Sequence, residues 1–383
     1  MARSCRTARF SGESVLRILY VGDPASLSAE LADYVRDLGD EWQLLSVPDG
    51  NAAIASIAAA SVDAVLVAPT LPDLTAVTLL GQVRTLRPEA IRIALMPADS
   101  GAAPTARIIG LAHRFLPLPL APETLLEALT SLEELRELLD SPRLRSAIGR
   151  IENLPSPPHV YLNLMQALEH DEDCSAAEVA RIIGADPAIA AKVLQLSNSA
   201  FFNNGRAITD MRSAVTRIGL ATLRDLVLVS EVFSTQSMTN AERSALQLRA
   251  MGASRLAGKI LPSSCAELGA TAALLADIGR LLPGVRDESE PAAEGDDRPG
   301  HAEAGAYLLG LWGLPMAIIE AVAFHLQPQR SQVRTFWVTG AVHVASALVA
   351  GKPVNEEYLA RTGVIGKLEE WRDLANGLLA EPA

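Results

Sequence analysis

The chain has 383 residues, and its 49% hydrophobic content is enough for two domains with cores of their own. A net charge of −12 and only 4% aromatic residues argue against a nucleic-acid partner, because phosphate binding needs concentrated Lys and Arg, and single strands need stacking rings. No apolar run approaches about 18 residues, so we expect no membrane span. Three scattered cysteines and no signal-peptide pattern behind Met1 predict a cytoplasmic protein.

Residues 1–14 are predicted to form an irregular tail, after which strands and helices alternate. The predicted strands are Leu16–Val21, Glu41–Val47, Ala64–Ala68, Ile91–Met96 and Phe115–Leu116. The predicted helices are Ser26–Leu38, Gly50–Ala60, Leu74–Leu86, Pro104–Ala112 and Pro122–Leu139. Five strands alternating with five helices predict an α/β domain over residues 15–121, with a doubly wound, flavodoxin-like, five-stranded parallel sheet.

The helix that begins at Pro122 carries a long stripe of leucines and allows two interpretations. In the first, its early turns pack on the sheet and the rest bridges two domains. In the second, the surplus leucines form a homodimer seam or a signalling helix. The Ser141-Pro142 break and the proline-rich stretch 153–158 mark a boundary, so we assign residues 122–144 to a linker helix.

Residues 145–350 are predicted to form an all-helical domain, followed by a helical extension over residues 351–383. The helical period is nearly unbroken, and no alternating strand pattern occurs. An acidic run, 284–300, predicts a loop. The predicted helices lie near residues 160–169, 175–183, 187–199, 211–217, 220–235, 240–259, 265–280, 300–309, 315–325 and 334–350.

Several blocks of this helical region resemble the HDOD domain, a signalling-associated, all-helical relative of the HD hydrolases. The blocks that carry the resemblance, in chain order, are Leu154–Pro158, Asp186-Pro187, Asn198–Phe202, Ile208–Gly219 and Leu223–Leu226. The pair Asp186-Pro187 is also a helix-start signal, an N-cap carboxylate before a residue suited to the first helical position. The resemblance covers roughly residues 145–350 and implies an HD-related fold.

HD hydrolases hold divalent metals with His and Asp side chains, and the metals activate water and bind phosphate. The block Leu274–Leu282 resembles the family's His-Asp motif, but Ala276 stands where the His belongs and only Asp277 is kept. Two later blocks keep His301 and His325, whereas no His occurs near Arg249–Met251. The resemblance therefore implies a vestigial, metal-free site at Asp277, His301 and His325. Two His and one carboxylate are nevertheless a set that can bind a metal facially.

The α/β region resembles the receiver domain of response regulators, which needs carboxylates for Mg²⁺, an Asp that accepts phosphate, and a Thr or Ser and a Lys that respond to it. In this chain the corresponding positions fall on Asp23, Ala68, Pro97 and Leu118. One carboxylate remains, and the other groups are lost. The resemblance thus implies a pseudo-receiver that cannot be phosphorylated.

Two nearby carboxylates are candidates to replace the missing acceptor. Asp63 stands at the start of the third strand, and Asp73 lies in the loop after it. We expect Asp63 to cap its strand and Asp73 to serve its turn, because short acidic side chains commonly bond nearby backbone N–H groups.

These observations predict a non-catalytic bacterial signalling protein of two-component type, without cofactors, that docks other signalling proteins. One alternative is a divergent metal-dependent phosphodiesterase that uses Asp277, His301 and His325. Another is a nucleotide-sensing module, for which a cyclic dinucleotide is a candidate ligand.

Overall fold

The computed structural model describes residues 16–27, 31, 42–97, 104–139, 141–149, 175–202, 207–220, 222–223, 239–288 and 296–380. Two parts follow one another in these ranges, an α/β domain and an all-helical region, and this confirms the predicted fold class. No helix in the described ranges has both the length and the apolar character needed to cross a bilayer.

The described part of the α/β domain contains a five-stranded sheet in the order β2-β1-β3-β4-β5, and every neighbouring pair is parallel. This order is the flavodoxin-like one. The central strand β3 is a continuous apolar run, as expected for a sheet covered on both faces, and β4 is apolar except for the buried Arg92. The strands are β1 Leu16–Val21, β2 Trp42–Val47, β3 Ala64–Val67, β4 Ile91–Pro97 and β5 Arg114–Leu118.

Four described helices belong to this domain: α1 Gly50–Ala59, α2 Ala76–Leu86, α3 Ala106–Leu111 and α4 Pro122–Leu138. Asp49 and Thr75 cap the first two with side-chain oxygens. The predicted helix Ser26–Leu38 lies mostly outside the described residues, and a short 3₁₀ helix occupies Pro24–Ser26. A further helix, α5 Pro142–Gly149, follows the Ser141-Pro142 break.

The rest of the described chain is helical. Asp186 accepts the backbone N–H groups of Ala188 and Ile189 at 2.7 and 3.0 Å, which is the N-cap that its sequence position predicts. The helices are α6 Ala176–Ile183, α7 Pro187–Asn198, α8 Met211–Ile218, α9 Asn240–Ile260, α10 Ala266–Leu275, α11 His301–Leu311, α12 Met316–Phe324, α13 Val338–Val349, α14 Glu356–Arg361 and α15 Leu368–Ala380.

The structure differs from the predicted helix at 265–280, because α10 ends at Leu275 and a 3₁₀ helix follows at Ile278–Leu281. Gly279 explains the change: a Cβ atom there would lie 1.9 Å from the carbonyl oxygen of His301. The segment therefore lies backbone to backbone against α11. The predicted helices 160–169 and most of 220–235 lie outside the described residues.

The leucine stripe of α4 is buried within the chain, as the first of its two interpretations expects. Leu125, Leu129 and Leu132 are each at most 3% exposed and belong to the main core. Leu135 packs against Gly310 near the end of α11, where a Cβ atom would lie 2.4 Å from the leucine Cδ1. The helix thus joins the α/β domain to the helical region, and a homodimer seam stays a prediction.

Candidate functional site

The three candidate residues of the helical region lie together. Ligand atoms of Asp277, His301 and His325 are all within 4.8 Å of one another. Asp277 follows α10, His301 is the first residue of α11, and His325 follows α12. Gly279 and Gly305 make this possible, because a Cβ atom on Gly305 would lie 2.9 Å from the Gly279 backbone nitrogen. The glycine pair therefore lets α11 approach the segment that carries Asp277.

The loop before α11 fixes the imidazole of His301. The backbone N–H of Glu288 donates to His301 Nδ1 at 3.2 Å, while the Glu288 carboxylate accepts the N–H of Ala302 at 3.0 Å. Because Nδ1 accepts a hydrogen bond, a neutral His301 carries its proton on Nε2. That atom is buried and lies 3.3 Å from Asp277 Oδ1, although it makes no well-aligned hydrogen bond.

His325 is held in the opposite tautomer. Its Nδ1–H donates to the carbonyl oxygen of Val322 at 2.8 Å, so a neutral ring leaves the Nε2 lone pair free 3.9 Å from Asp277 Oδ1. The His325 carbonyl in turn accepts a hydrogen bond from His343 Nδ1 at 2.7 Å, and His343 Nε2 accepts the N–H of Asn355. Thus α13 positions the end of α12 that carries His325.

Arg280 occupies the remaining side of Asp277. Its Nε donates to Asp277 Oδ1 at 2.8 Å, and its Nη1 donates to Asp287. Oδ1 is the same oxygen that lies nearest both histidine Nε2 atoms. The guanidinium therefore places one positive charge between the two carboxylates.

The burial of this cluster and its charges shift its ionisation in opposing directions. Burial alone would raise the pKa of Asp277, but the neighbouring His301, His325 and Arg280 hold it well below its ordinary value. Burial lowers the pKa of His325 to about 4 and outweighs the opposing charge of Asp277. Burial also acts against the charge of Arg280, yet Asp277 and Asp287 raise the pKa of its guanidinium.

A divalent metal fits this arrangement poorly. Metal-bound histidines normally donate their other ring N–H to an acceptor, as His325 does. His301 instead receives a backbone N–H on that nitrogen, and the carboxylate oxygen is already bonded to Arg280. Ala276, at the missing His position, is 1% exposed and brings no donor. Across the described ranges, these three residues form the one group of His, Cys, Asp or Glu near enough to share an ion.

The receiver-like positions also meet at one place, the carboxyl edge of the parallel sheet. Asp23 follows β1 and accepts the N–H of Ala25 at 2.9 Å, while Pro97 ends β4 opposite Leu118 of β5. Ala68, directly after β3, is 5% exposed. A Cβ atom on Gly22 would lie 2.6 Å from the Ala68 Cβ, so these two residues close the edge with apolar contact.

The two substitute carboxylates are occupied elsewhere. Asp63 accepts the N–H of Arg17 at 2.9 Å and pairs with Arg136 at 3.1 Å, at the amino end of the strands. Asp73 accepts the N–H groups of Gly50 and Asn51 at 2.9 and 2.8 Å, which caps α1. Asp63 bonds the backbone beside its strand, as its sequence position predicts, whereas these bonds of Asp73 go to the start of α1 and not to its own turn.

Sequence reasoning missed the groups that surround the three candidates. Arg280 follows Asp277 by three residues, a spacing that brings side chains together on a helical turn and was a usable signal. Asp287 and Glu288 were assigned only to an acidic loop. His343 had no signal, because its role depends on the packing of α13 against α12.

An all-helical region with a His/Asp pocket, joined to a receiver-like α/β domain, defines a protein of HD-related architecture. Residues 154–296 match the HDOD domain family, so the chain carries an HDOD domain over this range. This match confirms the resemblance seen in the sequence. The resemblances seen in the sequence associate both the HDOD domain and the receiver domain with signalling.

Individual relatives are distant. An uncharacterized protein from Treponema pallidum (strain Nichols) is 28% identical over 205 residues, which span 47% of this chain but only 39% of that protein. The MmoQ response regulator from Methylococcus capsulatus str. Bath is 22% identical, over 60% of this chain and 98% of that one, with a TM-score of 0.45. A candidate metal-dependent phosphohydrolase from Shewanella amazonensis SB2B is 19% identical, over 68% and 99%, with a TM-score of 0.30.

Proposed function

We propose that this chain is a non-catalytic bacterial signalling protein, which regulates other signalling proteins by docking them. The observation that carries the proposal is the bond between Arg280 and Asp277. Hydrolysis in this superfamily needs a carboxylate free to hold a metal that activates water. Here that carboxylate is bonded to a guanidinium of the same chain, and His301 presents a ring proton towards it.

The α/β domain supports the same proposal from a different direction. Phosphoryl transfer needs an acceptor oxygen and a cation held by carboxylates. Ala68 has no such oxygen, and its methyl group packs against Gly22. A domain that keeps the receiver fold without these groups retains shaped surfaces, and docking is the function that such surfaces can serve.

One observation favours the alternative of a metal-dependent phosphodiesterase. Asp277, His301 and His325 do lie close enough together to ligate one ion. Were Arg280 to swing away and His301 to change tautomer, the three would form a facial site.

Metal content and turnover of the full chain distinguish the two functions. We expect purified protein to hold far less than one Mn, Fe or Zn per chain, and to hydrolyse cyclic dinucleotides in Mn²⁺ no faster than Asp277→Asn. This variant removes the charge and keeps the shape of the side chain. Stoichiometric metal, with turnover that Asp277→Asn abolishes, would establish the enzyme instead.

Phosphoryl transfer is tested by incubating the full chain with acetyl phosphate and Mg²⁺ and measuring its intact mass. We expect no phosphoryl adduct, because the acceptor position is Ala68. An adduct mapped to Asp23, Asp63 or Asp73 would refute the phosphorylation-incompetent part of the proposal.

Docking itself is tested by affinity capture from the native cell, with the intact chain and with each part alone as bait. We expect a partner of the signalling class that binds again when purified. A thermal-shift screen serves the sensing alternative, since a nucleotide that binds the folded state would raise the melting temperature.

A further inference from the structure

Two buried cations cross the contact between the α/β domain and the helical region, one from each side. Arg114 of β5 is 8% exposed, and Lys192 of α7 is 4% exposed. Within the described part of the chain, neither forms an ion pair with a carboxylate. Buried cations require strong acceptors, so their partners show what holds the contact together.

Across the contact, the acceptors are carbonyl groups in the last turns of helices, while Arg114 Nη1 also donates to the carbonyl of Ala128 and the hydroxyl of Ser131 in α4. Arg114 donates from Nη2 to Gly310 and from Nε to Leu311, at 2.9 and 3.1 Å, at the end of α11. Lys192 donates to Ile109 in the last turn of α3 at 3.4 Å. The last carbonyls of a helix lack intrahelical partners and carry its negative dipole end, so they suit a cation. We call Arg114 and Lys192 the reciprocal clamp.

Other side chains complete the clamp. Gln195, one turn after Lys192 on α7, accepts from the lysine and donates to the carbonyls of Ala112 and His113. The Lys192 ammonium also lies 4.1 Å from the ring centre of Trp312, the residue that follows α11. Both cations therefore contact the carboxyl end of α11 or its cap.

Helix α11 runs from this clamp directly to the pocket. Its last residue, Leu311, is held by Arg114, and its first, His301, faces Asp277. Eleven residues correspond to about 16 Å of helix. Gly310 packs on Leu135 of α4 and Gly305 packs on Gly279, so the helix is in close contact along its length. Close-packed elements transmit a displacement instead of absorbing it.

We propose that α11 is a mechanical link, through which the position of the α/β domain at the reciprocal clamp sets the geometry of the Asp277–His301–His325 pocket. A change in the α/β domain would move the carboxyl end of α11 and with it His301. The inference goes beyond docking as a function and does not depend on what the pocket binds.

Histidine NMR of the full chain tests the link. The chain has six histidines, and His→Gln variants assign their ring resonances. Arg114→Gln removes the charge and the fork of donors at one end of α11. We expect it to shift the His301 and His325 resonances, whereas the control Arg17→Gln, whose guanidinium makes an exposed bond to Ser61 in the α/β domain, leaves them in place. Equal responses from the two variants would overturn the proposal.

If Arg114→Gln does not fold, a second pair of variants tests the same proposal. Gly310→Ala places a methyl group against Leu135 and pushes α11 away from α4. We expect it to shift the same two resonances, and the double variant Gly310→Ala with Leu135→Ala to return them towards the wild-type positions. Unchanged resonances in Gly310→Ala would show that displacement of α11 does not reach the pocket.

Discussion

Two clusters of buried charge in this protein are balanced in different ways. In the pocket, Arg280 faces the full negative charges of Asp277 and Asp287. At the domain contact, Arg114 and Lys192 face carbonyl dipoles at helix ends. The cations of both clusters are largely buried, with the Arg280 side chain 13% exposed and Arg114 and Lys192 8% and 4% exposed, so comparing these cations isolates what a carboxylate provides that a dipole does not.

The ionisation of the two clusters shows the consequence. The pKa of Arg280 is raised, because its carboxylates outweigh the effect of burial. Burial instead lowers the pKa of Lys192 to about 7, and it lowers that of Arg114 to about 10 while leaving the guanidinium charged at neutral pH. The pocket therefore pairs its cation with carboxylates, whereas the clamp holds cations that form no ion pair with a carboxylate and whose cost depends on pH.

The largest effect on the unfolding free energy is expected from removing the Asp277 carboxylate from the pocket. Asp277→Ala leaves Arg280 with Asp287 as its remaining carboxylate partner, and both histidines without the carboxylate they face. Removing one partner of a buried pair costs about 3 kcal/mol of unfolding free energy, because the other charge stays buried. Urea unfolding of the full chain measures the loss.

Asp63→Ala is the matched control, since it removes a carboxylate that pairs with a more exposed arginine, Arg136, in the other domain. We expect a loss of about 1 kcal/mol or less. A loss for Asp277→Ala as small as the control's would mean that the pocket is solvated and that its charges do not stabilise one another.

The second largest effect is expected in the pH dependence of the unfolding free energy, which tests the cluster where Lys192 faces carbonyl dipoles. A lysine whose pKa falls on folding binds fewer protons in the folded than in the unfolded state. The unfolding free energy therefore rises as the pH increases from about 7, the pKa of Lys192 in the folded state, towards 10.5, its ordinary pKa. We expect wild-type protein to gain up to about 4 kcal/mol over this range relative to Lys192→Met, at about 1.4 kcal/mol per pH unit.

The methionine variant keeps the apolar stem over Trp312 and removes the titrating group, so other groups cancel in the difference. Thermal melting of both proteins at several pH values above 7 gives the slopes. Parallel curves would show that Lys192 is not buried as a charge at the domain contact.

The sequence predicts features that depend on interactions between neighbouring residues, and it does not predict features that depend on residues far apart in the chain. The strands and helices of the α/β domain were predictable because apolar runs and their periods are local. The strand at 115–116 was predicted too short, because Arg114 reads as polar although it is buried. Its guanidinium bonds a carbonyl 197 residues away, which no local pattern records.

The candidate site divides in the same way. Asp277, His301 and His325 could be named because each lies in a block that resembles a known family, and the structure brings all three together. The tautomers could not be predicted, since they depend on a loop N–H from Glu288 and a carbonyl at Val322. The functional proposal depends on those tautomers as much as on the identities of the residues.

The smallest effect is expected where charges meet in water instead of inside the protein. Arg143 and Asp297 link α5 to the acidic loop at 3.4 Å, yet their side chains are 69% and 67% exposed. Solvent and salt screen such pairs, so Arg143→Gln should change the unfolding free energy by about 0.5 kcal/mol or less, and added salt should remove even that difference. Urea unfolding at low and high salt measures it. A loss comparable with that of Asp277→Ala would mean that exposed pairs contribute as much to stability as the buried clusters.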